Sequence, residues 1–191
     1  MPGSTTWTTP ITWGTADPTV SQFNQQIRDN ENHLYERAAI YSVYKSADES
    51  INTSTVLQND DALLWSVAAN ERWHFKILIY ATDASNGVAD MKIGWSVPAS
   101  TTMAWASYFA PSGAYSGFQP VITTSVPVAV FTESTSHSFG TFNGNFMLIY
   151  EGVVFVSSTA GTVNFKWAQN TSNGSNLTVK AGSFLELVKL A

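Results

Sequence analysis

The side chains in this sequence that are able to bind a metal or move a proton are few and far apart. Its histidines are His33, His74 and His137, and no two of them fall at the spacing of a zinc-binding helix or loop. Cysteine is absent, which removes disulfides, thiolate metal sites and thiol nucleophiles together. Asp83, Asn86 and Asp90 share one short segment and carry oxygens of the kind calcium takes, but the EF-hand arrangement is missing and a polar turn accounts for them. Glycoside hydrolysis needs two carboxyl groups held across the scissile bond, whereas Asp60, Asp61, Glu133 and Glu151 are scattered without a local signature. No Gly-x-Ser-x-Gly elbow, phosphate loop or dinucleotide fingerprint occurs. The expectation is a protein with no catalytic residues, no metal and no cofactor.

Composition narrows the partners. Charged residues make up only 12% of the chain against 44% hydrophobic and 13% aromatic, about half the usual charged share of a soluble domain. The formal net charge is −5 and no run of Lys or Arg occurs, so the footprint that neutralises nucleic-acid phosphates is lacking. Met1–Trp7 has neither a basic nor an apolar leader pattern, and no apolar run reaches the ~18–20 residues of a membrane-spanning helix. Synthesis in the cytoplasm, with no membrane insertion and no nucleic acid, is the expectation.

Two parts with different patterning follow along the chain. Charged residues crowd the stretch before position 50, among them Arg28, Asp29, Glu31, Glu36 and Arg37. Asp17-Pro18 suits a helix start, because Asp accepts free backbone donors and Pro is pre-set for the first turn; Thr19 to Gln22 is a competing capping box. From there Val20, Phe23, Ile27, Leu34 and Tyr41 fall on an a/d heptad pattern. Either three such helices meet along this seam, or one amphipathic helix lies on a partner surface. Ahead of it, Trp7, Ile11 and Trp13 sit in a segment too short to fold alone, which reads as an extended arm whose apolar residues dock into another chain. Trp7, Ile11, Trp13, Phe23, Ile27 and Leu34 are therefore the expected anchoring residues, in a segment spanning 1–46.

After about residue 50 the period changes from helical to two. In Glu71–Asp83 the residues Trp73, Phe75, Ile77, Ile79 and Ala81 alternate with His74, Lys76, Leu78 and Tyr80, giving one core face and one outer face. Ser85-Asn86-Gly87 supplies a turn, Met91, Ile93, Trp95 and Val97 continue inward, and the two runs read as a hairpin. Further strands are expected near Thr55–Gln58, Ala62–Val67, Thr101–Ala110, Val121–Phe131, Asn145–Ser157, Thr162–Gln169 and Ser183–Leu190. Their number and spacing suit an all-β, two-sheet antiparallel jelly-roll sandwich over 47–191, preceded by the arm and one short α-helix.

Between Ile93 and Thr132 there is no Asp, Glu, Lys or Arg, yet Trp95, Trp105, Tyr108, Phe109, Tyr115, Phe118 and Phe131 all lie there. Depleted charge with many aromatics marks the centre of a permanent subunit interface; a core flanked by an ordinary Ser/Thr-rich face is the competing reading. In Phe184–Leu190, Leu185 and Leu187 occupy one face and Phe184, Val188 and Leu190 the other, as in a strand buried on both sides. Glu186 interrupts the second face, and Lys180 or Lys189 is its expected partner. Trp105, Phe109, Phe184, Leu187 and Val188 are the expected interface residues.

The run Gly161-Thr162-Val163-Asn164-Phe165-Lys166-Trp167, the polar Thr171–Asn176 turn and Leu177 through Leu187 resemble the last hairpin and terminal strand of trimeric complement-type and tumour-necrosis-factor-like jelly rolls of tailed-bacteriophage virion proteins. Trp65 through Tyr80 is similar to the first half of that pattern. Trp13-Gly14 followed by Phe23 to Asn30 resembles the attachment segment of phage tail, fibre and head-decoration proteins. These motifs together span most of the chain; they are packing patterns without catalytic residues. The resemblance implies a homotrimer with its terminal strand near the three-fold axis, fixed by its N-terminal arm to a major capsid or tail/portal-associated virion protein. It implies a location on the virion, as capsid decoration, head fibre or short tail-attached fibre. A head that binds a host surface glycan or protein receptor is the alternative, since jelly rolls serve both roles.

Overall fold

The computed structural model describes residues 19–108, 137–139 and 144–190. Of the expected features, Asp17-Pro18, the arm residues Trp7, Ile11 and Trp13, the interface residue Phe109 and the strand at 121–131 lie outside the described residues.

The helix starts at the capping box. Thr19 Oγ1 accepts from the Gln22 N–H at 3.2 Å, and Gln22 Oε1 accepts from the Thr19 N–H at 2.9 Å, which satisfies two backbone donors that a helix start leaves open. Helix α1, Val20–Phe23, continues through π-helical turns at Asn24–Asp29 into α2, Asn30–Ala38. The wider π turns rotate the seam, so the heptad register does not run unbroken. It also ends early, because Tyr41 is not helical. Ala39 is extended (ψ 126°), and Ile40-Tyr41-Ser42-Val43-Tyr44, rich in β-branched and aromatic side chains, forms the first strand instead.

Eleven strands are seen among the described residues: β1 (Ile40–Tyr44), β2 (Glu49–Ile51), β3 (Gln58–Val67), β4 (Arg72–Asp83), β5 (Met91–Ser96), β6 (Thr102–Tyr108), β7 (His137–Phe139), β8 (Gly144–Phe155), β9 (Gly161–Gln169), β10 (Leu177–Val179) and β11 (Phe184–Lys189). The antiparallel pairs β1·β11, β3·β9, β4·β8 and β5·β7 are nested from the outside of the chain inward. Nested pairing of this kind rolls one long antiparallel ribbon into two facing sheets, so the chain is an all-β jelly-roll sandwich with a short helix ahead of it. The large sheet runs β1-β11-β4-β8-β6, with β10 and β2 continuing along β4 beyond β11 and β1. The small sheet runs β3-β9-β5-β7. Strand β1 belongs to the head sheet although it precedes the 46/47 boundary that composition suggests.

Two expected hairpins are corrected. Strand β4 lies in the large sheet and β5 in the small one, so Ala84–Asp90 carries the chain from one sheet to the other. Asn86, Gly87 and Asp90 have φ of 57°, 79° and 51°, and Ser85 Oγ accepts the Val88 and Ala89 N–H groups. A connection this long spans the ~10 Å between packed sheets, where a two-residue turn would have kept the strands adjacent. The Thr171–Asn176 segment crosses in the same way, from β9 to β10. Of the short runs expected at 55–58 and 62–67, the first contributes only Gln58, and both meet in one strand, β3, whose register shifts between Asn59 and Leu64.

Alternation builds the core. Every second residue of β4 from Trp73 to Asp83 is buried, and Phe75, Ile77 and Ile79 face Ile93, Trp95, Phe165 and Trp167 from the opposite sheet in one cluster. Trp95 lies edge-on to Phe75 and Phe165, with ring centroids 4.9 and 5.4 Å away. Full burial of each such side chain is worth about 1.5–3 kcal/mol, and edge-to-face ring contacts add to that.

Candidate functional site

The outer face of the large sheet is the feature that the core does not explain. Cross-strand register sets out its side chains in rows: Ile40, Val188, His74 and Val153; Ser42, Glu186, Lys76 and Glu151; Tyr44, Phe184, Leu78 and Ile149; then Tyr80 and Met147. Ile40 is 67% exposed, Tyr44 70% and Met147 54%; the remaining apolar members are partly exposed. Two apolar rows therefore flank one polar row. At one end the face closes with a hydroxyl and amide rim, where Ser50 meets Thr178 at 2.7 Å and Thr82 Oγ1 donates to Asn145 at 2.6 Å. At the other, the Arg72 guanidinium lies 5.8 Å from the Phe155 ring centre. An apolar patch with a polar rim is the anatomy of a protein–protein interface.

The expected interface residues divide over this sheet. Phe184 and Val188 project to the outer face, while Leu187 is 1% exposed and belongs to the head's own core. Trp105, on β6, is half-buried with its ring 5.4 Å from that of Tyr150. The two lysines expected beside Glu186 are engaged elsewhere, Lys180 with Asp48 and Lys189 with Glu71. The expected anchors Phe23, Ile27 and Leu34 are 51%, 39% and 56% exposed on the helix, and Val20 is 78% exposed. Asn30, between them, is buried, and its side-chain amide donates to the Gln26 carbonyl at 3.2 Å.

A second cluster was not foreseen. Lys45, at the end of β1, is 1% exposed, and its Nζ lies 2.6 Å from Glu49 Oε2, 3.1 Å from Asp60 Oδ1 and in contact with Asp61. Asp60 is fully buried; its Oδ1 accepts the Ala62 and Leu63 N–H groups and its Oδ2 accepts the Trp167 Nε1–H. The three carboxylates converge closely enough for a metal ion, but the ammonium of Lys45 stands at their centre. Burial works against its charge, yet the hydrogen bonds it donates to Asp61 and Glu49 and the field of Asp60 push its pKa up to about 12. The cluster ties the large sheet's β1 to the small sheet's β3 at its irregularity. The only sequence signal was the Asp60-Asp61 doublet between apolar runs, which read as a break between strands.

The other candidate chemistry is dispersed. His33 is in α2, His74 on the outer face of β4, and His137 in β7 of the small sheet rather than in a loop. His74 Nε2 is 2.9 Å from Glu151 Oε1. Asp83 is buried and accepts the Ser85 N–H at 2.7 Å. Glu133 lies outside the described residues. No helix among the described residues is long and apolar enough to cross a membrane.

No protein-family model and no curated protein matches the chain. Among solved structures, it is similar to the Gx and Gt strains of infectious bursal disease virus, at 11% and 10% identity and a TM-score of 0.21 for both. Similarity at 12% identity and the same TM-score extends to a mutant VP2 protein of that virus in derived T=1 particles. Each likeness covers 79% of this chain, which spans about two fifths of the length of those chains. Superposition this loose fixes neither role nor strand-by-strand correspondence.

Proposed function

We propose that this chain is a non-enzymatic structural protein of a virus particle, a homotrimer whose heads meet through the outer face of the large sheet while the N-terminal segment grips a larger assembly. The observation that carries the reading is the apolar outer face of β1, β11, β4 and β8, which a lone head leaves in contact with water. The helix supports it from the other end, because Val20, Phe23, Ile27 and Leu34 have no core of their own to enter. Multivalency then does the holding: three modest contacts on one trimer bind a particle far more tightly than one. Placement on a phage particle follows from the resemblance of the N-terminal segment to phage attachment segments.

Sedimentation of the full chain tests assembly, with a trimer expected and a monomer overturning the reading. Pull-down on virus shells tests anchoring. The truncation used there must stop at Ala38, because β1 begins at Ile40 and pairs with β11. A trimer lacking residues 1–38 should lose shell binding; undiminished binding would remove the anchoring role.

A further inference from the structure

On the apolar face just described, one row is charged, and its pairing within the chain is incomplete. Glu186, Lys76 and Glu151 are neighbours across β11, β4 and β8. Glu151 is taken by His74 at 2.9 Å. Lys76 and Glu186 stand directly opposite each other, yet make no side-chain hydrogen bond or ion pair with any described residue. Both are half-buried, with Val188 and Phe184 on either side of Glu186 and His74 and Leu78 on either side of Lys76. A charge in the middle of an apolar patch is tolerable in water, but once the patch is covered an unmatched charge costs several kcal/mol. A covering surface that offers an anion to Lys76 and a cation to Glu186 would match both charges.

A second copy of the same chain brings both. Resting on the oligomeric reading above, we propose that Lys76 of each subunit pairs with Glu186 of the next around a closed ring, so that this one repeated contact fixes how neighbouring heads are aligned. In a head-to-tail ring the two partners of a contact come from different patches of the two subunits. The face offers them on adjacent strands, a cation on β4 and an anion on β11. The surrounding Leu78, Ile149, Phe184 and Val188 supply the apolar area that makes such a pair count by excluding water.

Native mass spectrometry of the full chain, with folding checked by circular dichroism, tests the pairing. The unaltered chain should be a trimer; a monomer would sink the oligomeric reading itself, and this inference with it. Lys76→Glu and Glu186→Lys should each weaken association at least about a hundredfold, because like charges then face each other across every contact. An unaltered trimer in either variant overturns the pairing while leaving the oligomer standing. Mixing the two variants should partly restore trimers from chains that do not assemble alone, because a ring with two copies of one variant and one of the other has opposite charges at two of its three contacts; a pair within one chain predicts no such recovery. The doubly reversed Lys76→Glu/Glu186→Lys chain should again be a trimer even if a single variant folds poorly, and its failure to assemble would overturn the proposal.

Discussion

The two outer faces of the sandwich share one fold and one pleat but not one chemistry. On the large sheet the outward positions hold Ile40, Tyr44, Leu78, Met147, Ile149 and Phe184. On the small sheet the outward rows are Ser66 and Thr162, then Leu64, Asn164 and Ser96, then Asn59, Lys166 and Gly94, then Ala168 and Lys92, a mostly polar or small set in which Asn164, Gly94 and Ala168 are buried. Both sheets bury their inner faces equally well, so core formation cannot account for the contrast. A strand period of two establishes that each sheet has an inside and an outside, and no more than that. What separates the faces is the kind of residue placed outside, large and apolar on much of the large sheet and polar or small on most of the small one.

That contrast is broken most directly by a charge placed on each face in turn. Leu78 sits mid-sheet on β4 between Phe184 and Ile149, and it is partly exposed, so Leu78→Lys should fold. In the trimer it buries three ammonium groups, each costing about 2 kcal/mol or more at an interface centre, or roughly 6 kcal/mol per trimer. Dissociation to monomers at micromolar concentration is the expected result in analytical ultracentrifugation. Thr162→Lys, on the exposed small-sheet row, should leave the sedimentation coefficient unchanged. Equal behaviour of the two variants would erase the distinction between the faces.

Both faces keep their places only while the sheets stay registered, and Lys45 is the charged tie between them. Lys45→Met should leave Glu49, Asp60 and Asp61 facing one another without a cation, at a cost of about 3–5 kcal/mol for a broken buried pair. The pH dependence separates this from lost packing. A lysine whose folded pKa is raised contributes its full stabilisation below pH 10.5, and that contribution is lost as pH rises through about 12. The unaltered protein should therefore weaken under strong alkali, where Lys45→Met has nothing left to lose. Towards acid the variant should recover part of its deficit, because its carboxylates can then take up protons. Urea denaturation followed across pH reads both limbs, and parallel curves for the two proteins would show that Lys45 acts by packing alone.

How much of this was legible beforehand depended on the range of the interaction. The β4 pattern from Trp73 to Asp83, the capping box at Thr19 and the two faces of β11 are local periodicities, and they appear as read. The connection after Asp83 did not, because Asn86-Gly87 reports a tight backbone reversal but says nothing about whether the next strand joins the same sheet. Tyr41 was read only as a heptad position, and pairing with Leu187, far along the chain, makes it a strand residue instead. Lys45, Glu49, Asp60 and Asp61 come together only through the sandwich, so no spacing announces them. Leu187 shows the limit of face assignment, since alternation placed Leu185 and Leu187 together but could not say that theirs was the inner side.

Among the described residues, β6 is the outermost strand beside β8, and the smallest effect concerns how that strand is admitted. Gly152 lies opposite Trp105 in the β6·β8 pair. A side chain there would press on the Ala104 carbonyl oxygen and come within 2.7 and 2.8 Å of Trp105 Cβ and Cα. Those are backbone and near-backbone atoms that cannot swing aside, so Gly152→Ala should push β6 away from β8 and spoil the edge-on contact of Trp105 with Tyr150. Overpacking of this kind costs about 1–3 kcal/mol, readable as a lower urea midpoint with altered tryptophan fluorescence. On the outer face the middle of β6 contributes only the small Ala104 and Ala106 beside Val153 and Glu151, with Tyr108 at the register position of Ile149 at the strand's end. Trimer dissociation should therefore change far less than head stability. A trimer that fell apart in step with β6 would extend the apolar interface across the whole sheet, and the boundary between buried and wet outer surface would then run along β6 instead of β8.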